Sequence, residues 1–146
     1  MNTSATITAR IENLTPASQR LWGRMSVGQM LTHCADQLQI VMGEKAAAQQ
    51  GNAVTRWLMK GLALYAPMPF PKNLRTIAEL DPDKPLMTQP VDFVQDRAML
   101  LALVTRLHQL PDSQLLAHPV FGSLTKAQAV KLTHIHLDHH LRQFGV

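Results

Sequence analysis

Cysteine is nearly absent from this sequence. Cys34 stands alone, so no intrachain disulfide can form, and a reducing, cytoplasmic setting is expected. Long apolar runs are missing as well. The most apolar stretch, Trp57 to Ala66, is short and carries Lys60, whereas a spanning helix needs about 20 residues, so no membrane partner is expected. Aromatic residues make up 5% of the chain and basic runs are absent. A pI of about 9.6 invites a nucleic-acid reading, but the 14 Lys and Arg are scattered singly with little aromatic interleaving, which argues against it. The first residues, Met1 to Thr6, lack a basic stretch followed by an apolar one, so no signal peptide is expected. No internal repeat and no convincing strand are legible.

What is present is apolar content of 46% in 146 residues, enough for one core and one domain spanning residues 1–146. The reading is organised by the last helix. Thr125-Lys126-Ala127-Gln128 is a capping box, and neither Gly nor Pro follows until Gly145. Within that stretch lie His134, His136, His139 and His140. At about 100° per residue, His136 and His140 stand one turn apart and about 40° from each other, so both can reach one ion, whereas His134 points roughly 160° away from His136. Val130, Leu137, Leu141 and Phe144 mark the apolar stripe, with Lys131, Asp138 and Arg142 on the wet face. His136 and His140 fall at the edge of the stripe, and His139 drifts toward solvent.

Two competing signatures are excluded by spacing. His134-x-His136-x-Asp138-His139 spells the zinc-binding string of the metallo-β-lactamase fold, but only six residues follow His140, and a helix splays His134 from His136. The H-E-x-x-H metalloprotease pattern fails because Leu137 stands where its general-base Glu belongs.

From the N-terminus, residues 5–14 read as a short helix, and Thr15-Pro16 restarts it until Trp22-Gly23. Ser26-Val27-Gly28-Gln29 is a second capping box, opening a helix to about Glu44 with Val27, Met30, Leu31, Cys34, Leu38 and Val41 buried and Thr32, Ala35, Asp36 and Gln39 outside. His33 sits at the border of that stripe. A lone His in such a position is more often a satisfied core or boundary residue than a ligand; three boundary histidines facing one core favour a shared ligand. Another helix is expected from about Ala53 to Tyr65, carrying Val54, Trp57, Leu58 and Leu62. Six of the nine prolines then fall between Pro67 and Pro90, an ordered crossover that Phe70, Leu74, Ile77, Leu80 and Leu86 can pin to the core. A helix from Val91 to Leu110 follows, with Phe93, Ala98, Leu101, Val104 and Leu107 as its buried face, and His118-Pro119-Val120-Phe121-Gly122 turns into the last helix. The expected fold is all-α, a four-helix bundle with a long Pro-rich crossover between its second and third main helices.

Leu21 to Cys34, Pro69-Phe70-Pro71-Lys72, His118 to Thr125 and His136 to Gly145 together resemble a family of unknown function within the DinB-like superfamily, and the likeness covers most of the chain. The resemblance implies an up-down-down-up bundle and a metal held by His33, His136 and His140. Its wider relatives include transferases using low-molecular-weight thiols, related isomerases, and proteins labelled metal-dependent hydrolases.

Three neutral imidazoles with one open position suit a catalytic metal, zinc or nickel foremost, with copper and iron also compatible and magnesium or calcium disfavoured. Such a site can activate water or a thiol, so the expected function is a hydrolase or thiol S-transferase acting on a small molecule; a low-molecular-weight thiol is a candidate cofactor. A non-catalytic binding or stress-related module, its histidines merely hydrogen-bonded, is the other reading. Gln37, Thr133 and Gln143 are placed to orient the ligands. No general base is assignable, because Asp36 and Asp138 both fall outward on their wheels. Cys34 reads as a small core residue, His139 as a boundary residue or weak fourth ligand, His118 as part of a turn, His108 as solvent-facing, and Trp22 and Trp57 as core or interface anchors. A bundle of this size can form a homodimer, and the sequence does not decide it.

Overall fold

The two helices that carry His33, His136 and His140 are also the two with complete capping boxes. In the computed structural model, which describes residues 3–66 and 68–146, helix α2 (Val27–Val41) begins where Ser26 Oγ accepts the Gln29 N–H at 3.1 Å and Gln29 Oε1 accepts the Ser26 N–H at 3.0 Å. Helix α5 (Lys126–Gln143) begins the same way, with Thr125 and Gln128 exchanging bonds of 3.2 and 3.0 Å. Each box satisfies donors that the first helical turn leaves open, worth about 1 kcal/mol per cap.

Among the described residues the remaining helices are α1 (Ser4–Glu12), α3 (Ala53–Tyr65) and α4 (Phe93–Gln109), with a single 3₁₀ turn at Ala78–Leu80. The chain is mostly helical, as expected, but it is not helices alone. Strands β1 (Leu115–His118) and β2 (Gly122–Thr125) pair antiparallel between α4 and α5, with Leu116 opposite Leu124 and His118 opposite Gly122. Leu116 and Leu124 point into the core while Leu115 and Ser123 face out. Four-residue strands give too few alternations to read, and this is why the hairpin was not expected.

Helix α2 is the centre of the core. It packs most extensively on α4, and also meets α5, β1 and the 3₁₀ turn. It is therefore buried almost all round. Thr32, Ala35 and Asp36, expected outside, are 3%, 7% and 1% exposed. Ile7, Ile11, Leu14, Met30, Leu31, Leu38, Leu100, Leu103, Leu107 and Leu137 fill the interior, each contributing roughly 1.5–3 kcal/mol of transfer free energy. The buried face of α4 is set by Leu100, Leu103, Val104 and Leu107; Ala98 is exposed, and Phe93 and Leu101 are only partly covered.

Three further expectations are corrected. No helix forms between Thr15-Pro16 and Trp22-Gly23. The Thr15 N–H is taken by Ser18 Oγ at 3.0 Å, and downstream the Leu21 N–H and Trp22 carbonyl bond to Gln143 at the end of α5 instead of to a helical ladder. On α3 the apolar stripe faces away from the body: Val54, Trp57, Leu58 and Leu62 are exposed and Leu64 alone is buried, so Trp57 is no core anchor. The crossover is pinned by Leu80 and by Met87, which is 1% exposed, while Leu74 and Leu86 face solvent. Pro67 of that crossover lies outside the described residues.

Candidate metal centre

Helices α2 and α5 lie side by side and bring three imidazoles to one point. His33 Nε2 is 3.1 Å from His136 Nε2, which is 3.2 Å from His140 Nε2. All three ring nitrogens lie within 4.8 Å of one another, and ring centroids are 4.6 to 5.1 Å apart. His33 and His140 are buried; His136 keeps a partly exposed surface. These are the three residues expected to converge, and no other cluster of three or more His, Cys, Asp or Glu with this geometry occurs among the described residues.

The hydrogen bonds around the rings fix which nitrogen is free. His33 Nδ1 is 2.8 Å from the Leu80 carbonyl, which can only accept, so Nδ1 carries the proton and Nε2 offers a lone pair. Gln143 Nε2 donates to the Trp22 carbonyl at 2.9 Å, which sets the amide so that its Oε1 faces His140 Nδ1 at 2.9 Å. His140 must donate there, leaving its Nε2 bare too. His136 Nε2 thus faces two lone pairs, and a single N–H can serve only one of them. A cation satisfies all three. Tetrahedral zinc with bonds of about 2.0–2.1 Å places its nitrogen ligands about 3.3 Å apart, close to the 3.1 and 3.2 Å that separate His136 Nε2 from its two neighbours. The residues fit a divalent ion held through three Nε2 atoms.

The electrostatics agree with neutral ligands. Burial, partly offset by the Leu80 carbonyl and Asp36, lowers the His33 pKa from its ordinary 6.5. Burial, and then the neighbouring imidazoles, push His136 and His140 well below that value.

Around the trio, Gln143 orients His140 as its helical position suggested, and its contact leaves no room behind it: a Cβ on Gly23 would come within 2.4 Å of Gln143 Nε2. Gln37 Oε1, Thr133 Oγ1 and His136 Nδ1 are buried without a hydrogen-bond partner among the described residues. The Leu80 carbonyl, a backbone atom of the crossover, is a part of the site that no side-chain pattern could announce. Asp36, expected outward, is buried and accepts from Thr88 and Lys45. Asp138 is half-buried, 2.7 Å from Arg10 of α1 and 3.0 Å from Arg142.

The other candidates do not join the trio. His139 is half-buried between the rings of Trp22 and Phe70, 5.1 Å centroid to centroid from His140. Trp22 is also covered by the Lys72 ammonium at 4.4 Å. His118 ends β1, stacked on Phe121. His108 is not simply solvent-facing, since its Nε2 lies 3.1 Å from His134 Nε2 across the α4–α5 contact. Cys34 is fully buried and burial pushes its thiol pKa up, so it is packing rather than nucleophile. No helix among the described residues is long and apolar enough to cross a membrane.

A family model described as a protein of unknown function (DUF1569) matches residues 2–145. No curated protein and no solved structure matches the chain.

Proposed function

The chain belongs to the DUF1569 family of proteins of unknown function, and we propose that it is a metal-dependent enzyme of the DinB-like type, a cytoplasmic hydrolase or thiol S-transferase acting on a small molecule. His33, His136 and His140 hold a divalent ion, zinc or nickel. On this reading α1, α2, α4 and α5 are the four helices of a DinB-like bundle in up-down-down-up order, with α3 and the hairpin inserted between them. The observation that carries the proposal is the enforced direction of two lone pairs: Leu80 and Gln143 hold His33 and His140 with Nε2 aimed at a point where His136 adds a third nitrogen.

The chemistry such an ion supplies is Lewis acidity, which makes a bound water or a low-molecular-weight thiol nucleophilic near neutral pH. The chain's own residues supply the rest. Leu80 and Gln143 fix the tautomers of His33 and His140, so neither of those rings must turn before binding. The absence of a carboxylate in the trio leaves the charge of the ion undiminished, favouring a stronger acid than a mixed site provides. His139, half-buried beside His140 and walled by Trp22 and Phe70, is the side chain placed to take up a proton next to the trio.

The test is turnover on a panel of activated esters, amides and thiol-acceptor pairs, with and without a low-molecular-weight thiol. The expected result is an activity abolished by chelation, restored by zinc or nickel, and absent from His136→Ala. Turnover that survives both chelation and that substitution contradicts the proposal.

A further inference from the structure

A second candidate site has a lining that includes none of the histidine trio. Between α3, the hairpin and the loop after α2 lies a cleft of about 480 Å³, lined by Lys45, Arg56, Trp57, Lys60, His118 and Phe121 among others; no acidic residue and none of the three trio histidines lines it. Its walls follow from an imbalance in the sequence. Between Glu44 and Glu79 there is no Asp or Glu, while Lys45, Arg56, Lys60, Lys72 and Arg75 fall in that stretch.

Two of the cations are held by neutral oxygens. Arg56 donates to the carbonyls of Gln50 at 3.2 Å and Gly51 at 2.9 Å and lies over Gly122, where an added Cβ would touch the Arg56 side chain at 3.7 Å. Lys60, one turn along α3, donates to the Ser123 carbonyl at 3.0 Å. Carbonyls orient a cation without cancelling its charge, so both remain uncompensated and their long side chains are already positioned. Lys45 is different, since Asp36 pairs with it at 2.5 Å. Glu44 is committed to Arg106 and Glu79 to the Ala48 N–H. On the hairpin side, the Val120 N–H donates to His118 Nδ1 at 3.1 Å, so the neutral ring carries its proton on Nε2 and presents a donor. The Trp57 ring, 67% exposed, supplies an apolar wall.

We propose that this cleft binds a small anionic molecule, a carboxylate or phosphate monoester bearing a flat apolar group, with Arg56 and Lys60 holding the anion, His118 donating to it and Trp57 covering the apolar part. Cationic donors with no carboxylate in the lining select an anion, and one aromatic wall selects a ligand with a face to cover.

The probe is phenyl phosphate, titrated at constant ionic strength into the full, metal-stripped chain and followed by amide and indole chemical shifts. Stripping the metal keeps a response at the cleft distinct from phosphate ligation at the trio. The expected result is saturable shifts at Arg56, the Trp57 indole, Lys60 and His118, none with benzyl alcohol, and a loss of affinity of at least about tenfold in Arg56→Gln/Lys60→Gln. Should that double variant not fold, Trp57→Ala, at an exposed position, is expected to weaken phenyl phosphate binding while leaving inorganic phosphate unaffected. No saturation, equal shifts with benzyl alcohol, or undiminished binding by the variants overturns the proposal. Co-sedimentation with phosphatidylglycerol vesicles without any response to phenyl phosphate also overturns it, and assigns the exposed face of α3 to a membrane surface instead.

Discussion

Asp36 and Thr88, 52 residues apart, are joined by two hydrogen bonds of 2.7 Å, the carboxylate accepting both the Thr88 N–H and its hydroxyl. Lys45 completes the arrangement at 2.5 Å and donates on to the Leu86 carbonyl at 2.8 Å. A carboxylate on the central helix therefore holds the end of the crossover whose Leu80 carbonyl orients His33. Asp36→Ala leaves the Thr88 donors and the Lys45 ammonium without their partner, and stranding buried hydrogen-bonding groups costs about 1–3 kcal/mol. Urea unfolding of the metal-free protein is expected to show a loss of that order; a change below about 0.5 kcal/mol would refute the structural role.

Gln143 makes a different and testable contribution. Gln143→Ala leaves His140 Nδ1 and the Trp22 carbonyl without their bridging amide. Metal affinity, measured by competition with a chromogenic chelator, is expected to fall about 10- to 100-fold, the usual effect of losing a ligand's hydrogen-bond partner. Gly23→Ala is expected to act in the same direction, because its Cβ would meet Gln143 Nε2 at 2.4 Å and its φ of +76° disfavours a side chain. Unaltered affinity in both variants would separate Gln143 from the site.

Proton release distinguishes buried from ordinary imidazoles. Histidines with the ordinary pKa of 6.5 are mostly protonated at pH 6, and three of them would release about two protons on binding a metal. His33, His136 and His140 all titrate below that value because burial disfavours their charged forms. Calorimetry at pH 6 in buffers of different ionisation enthalpy is expected to show release well under two protons, and a value near two would contradict the burial.

The same shifts give the metal-free protein an acid-sensitive stability. A histidine whose folded pKa lies below its unfolded value binds fewer protons when folded, so stability rises with pH across the interval. His118, lowered by burial from 6.5 to about 4, sets a window between those values, and the trio shifts the same way. Melting temperature is expected to be level above pH 7 and to fall steadily from about 6.5 toward 4; a flat profile would count against it.

Cys34 is predicted to be chemically silent. It is 0% exposed and burial raises its thiol pKa. Ellman's reagent should react with it only after unfolding, and Cys34→Ala should keep full metal content. Rapid reaction in the native protein would contradict its packing.

Much of the site was legible because helical spacing is local. His136 and His140 one turn apart, and the capping boxes at Ser26 and Thr125, needed only the 3.6-residue period and a hydroxyl three residues before a Gln. His33 lies on another helix, so no local spacing links it to them; facing cores and the family resemblance do. Asp36 was misplaced because a wheel assumes one wet face, and α2 has none. The apolar stripe of α3 was found, but its periodicity does not say whether body or solvent receives it. The hairpin was too short to show alternation, and the Leu80 carbonyl belongs to the backbone, which every residue shares.

The most direct measurement is metal content and coordination of the purified chain. The expected result is about one equivalent of divalent ion per chain, an X-ray absorption spectrum with three nitrogen ligands at about 2.0–2.1 Å, and near-complete loss of the ion in His33→Ala, His136→Ala and His140→Ala. A protein that takes up no zinc or nickel, or a His136→Ala variant that retains its full equivalent, would contradict it.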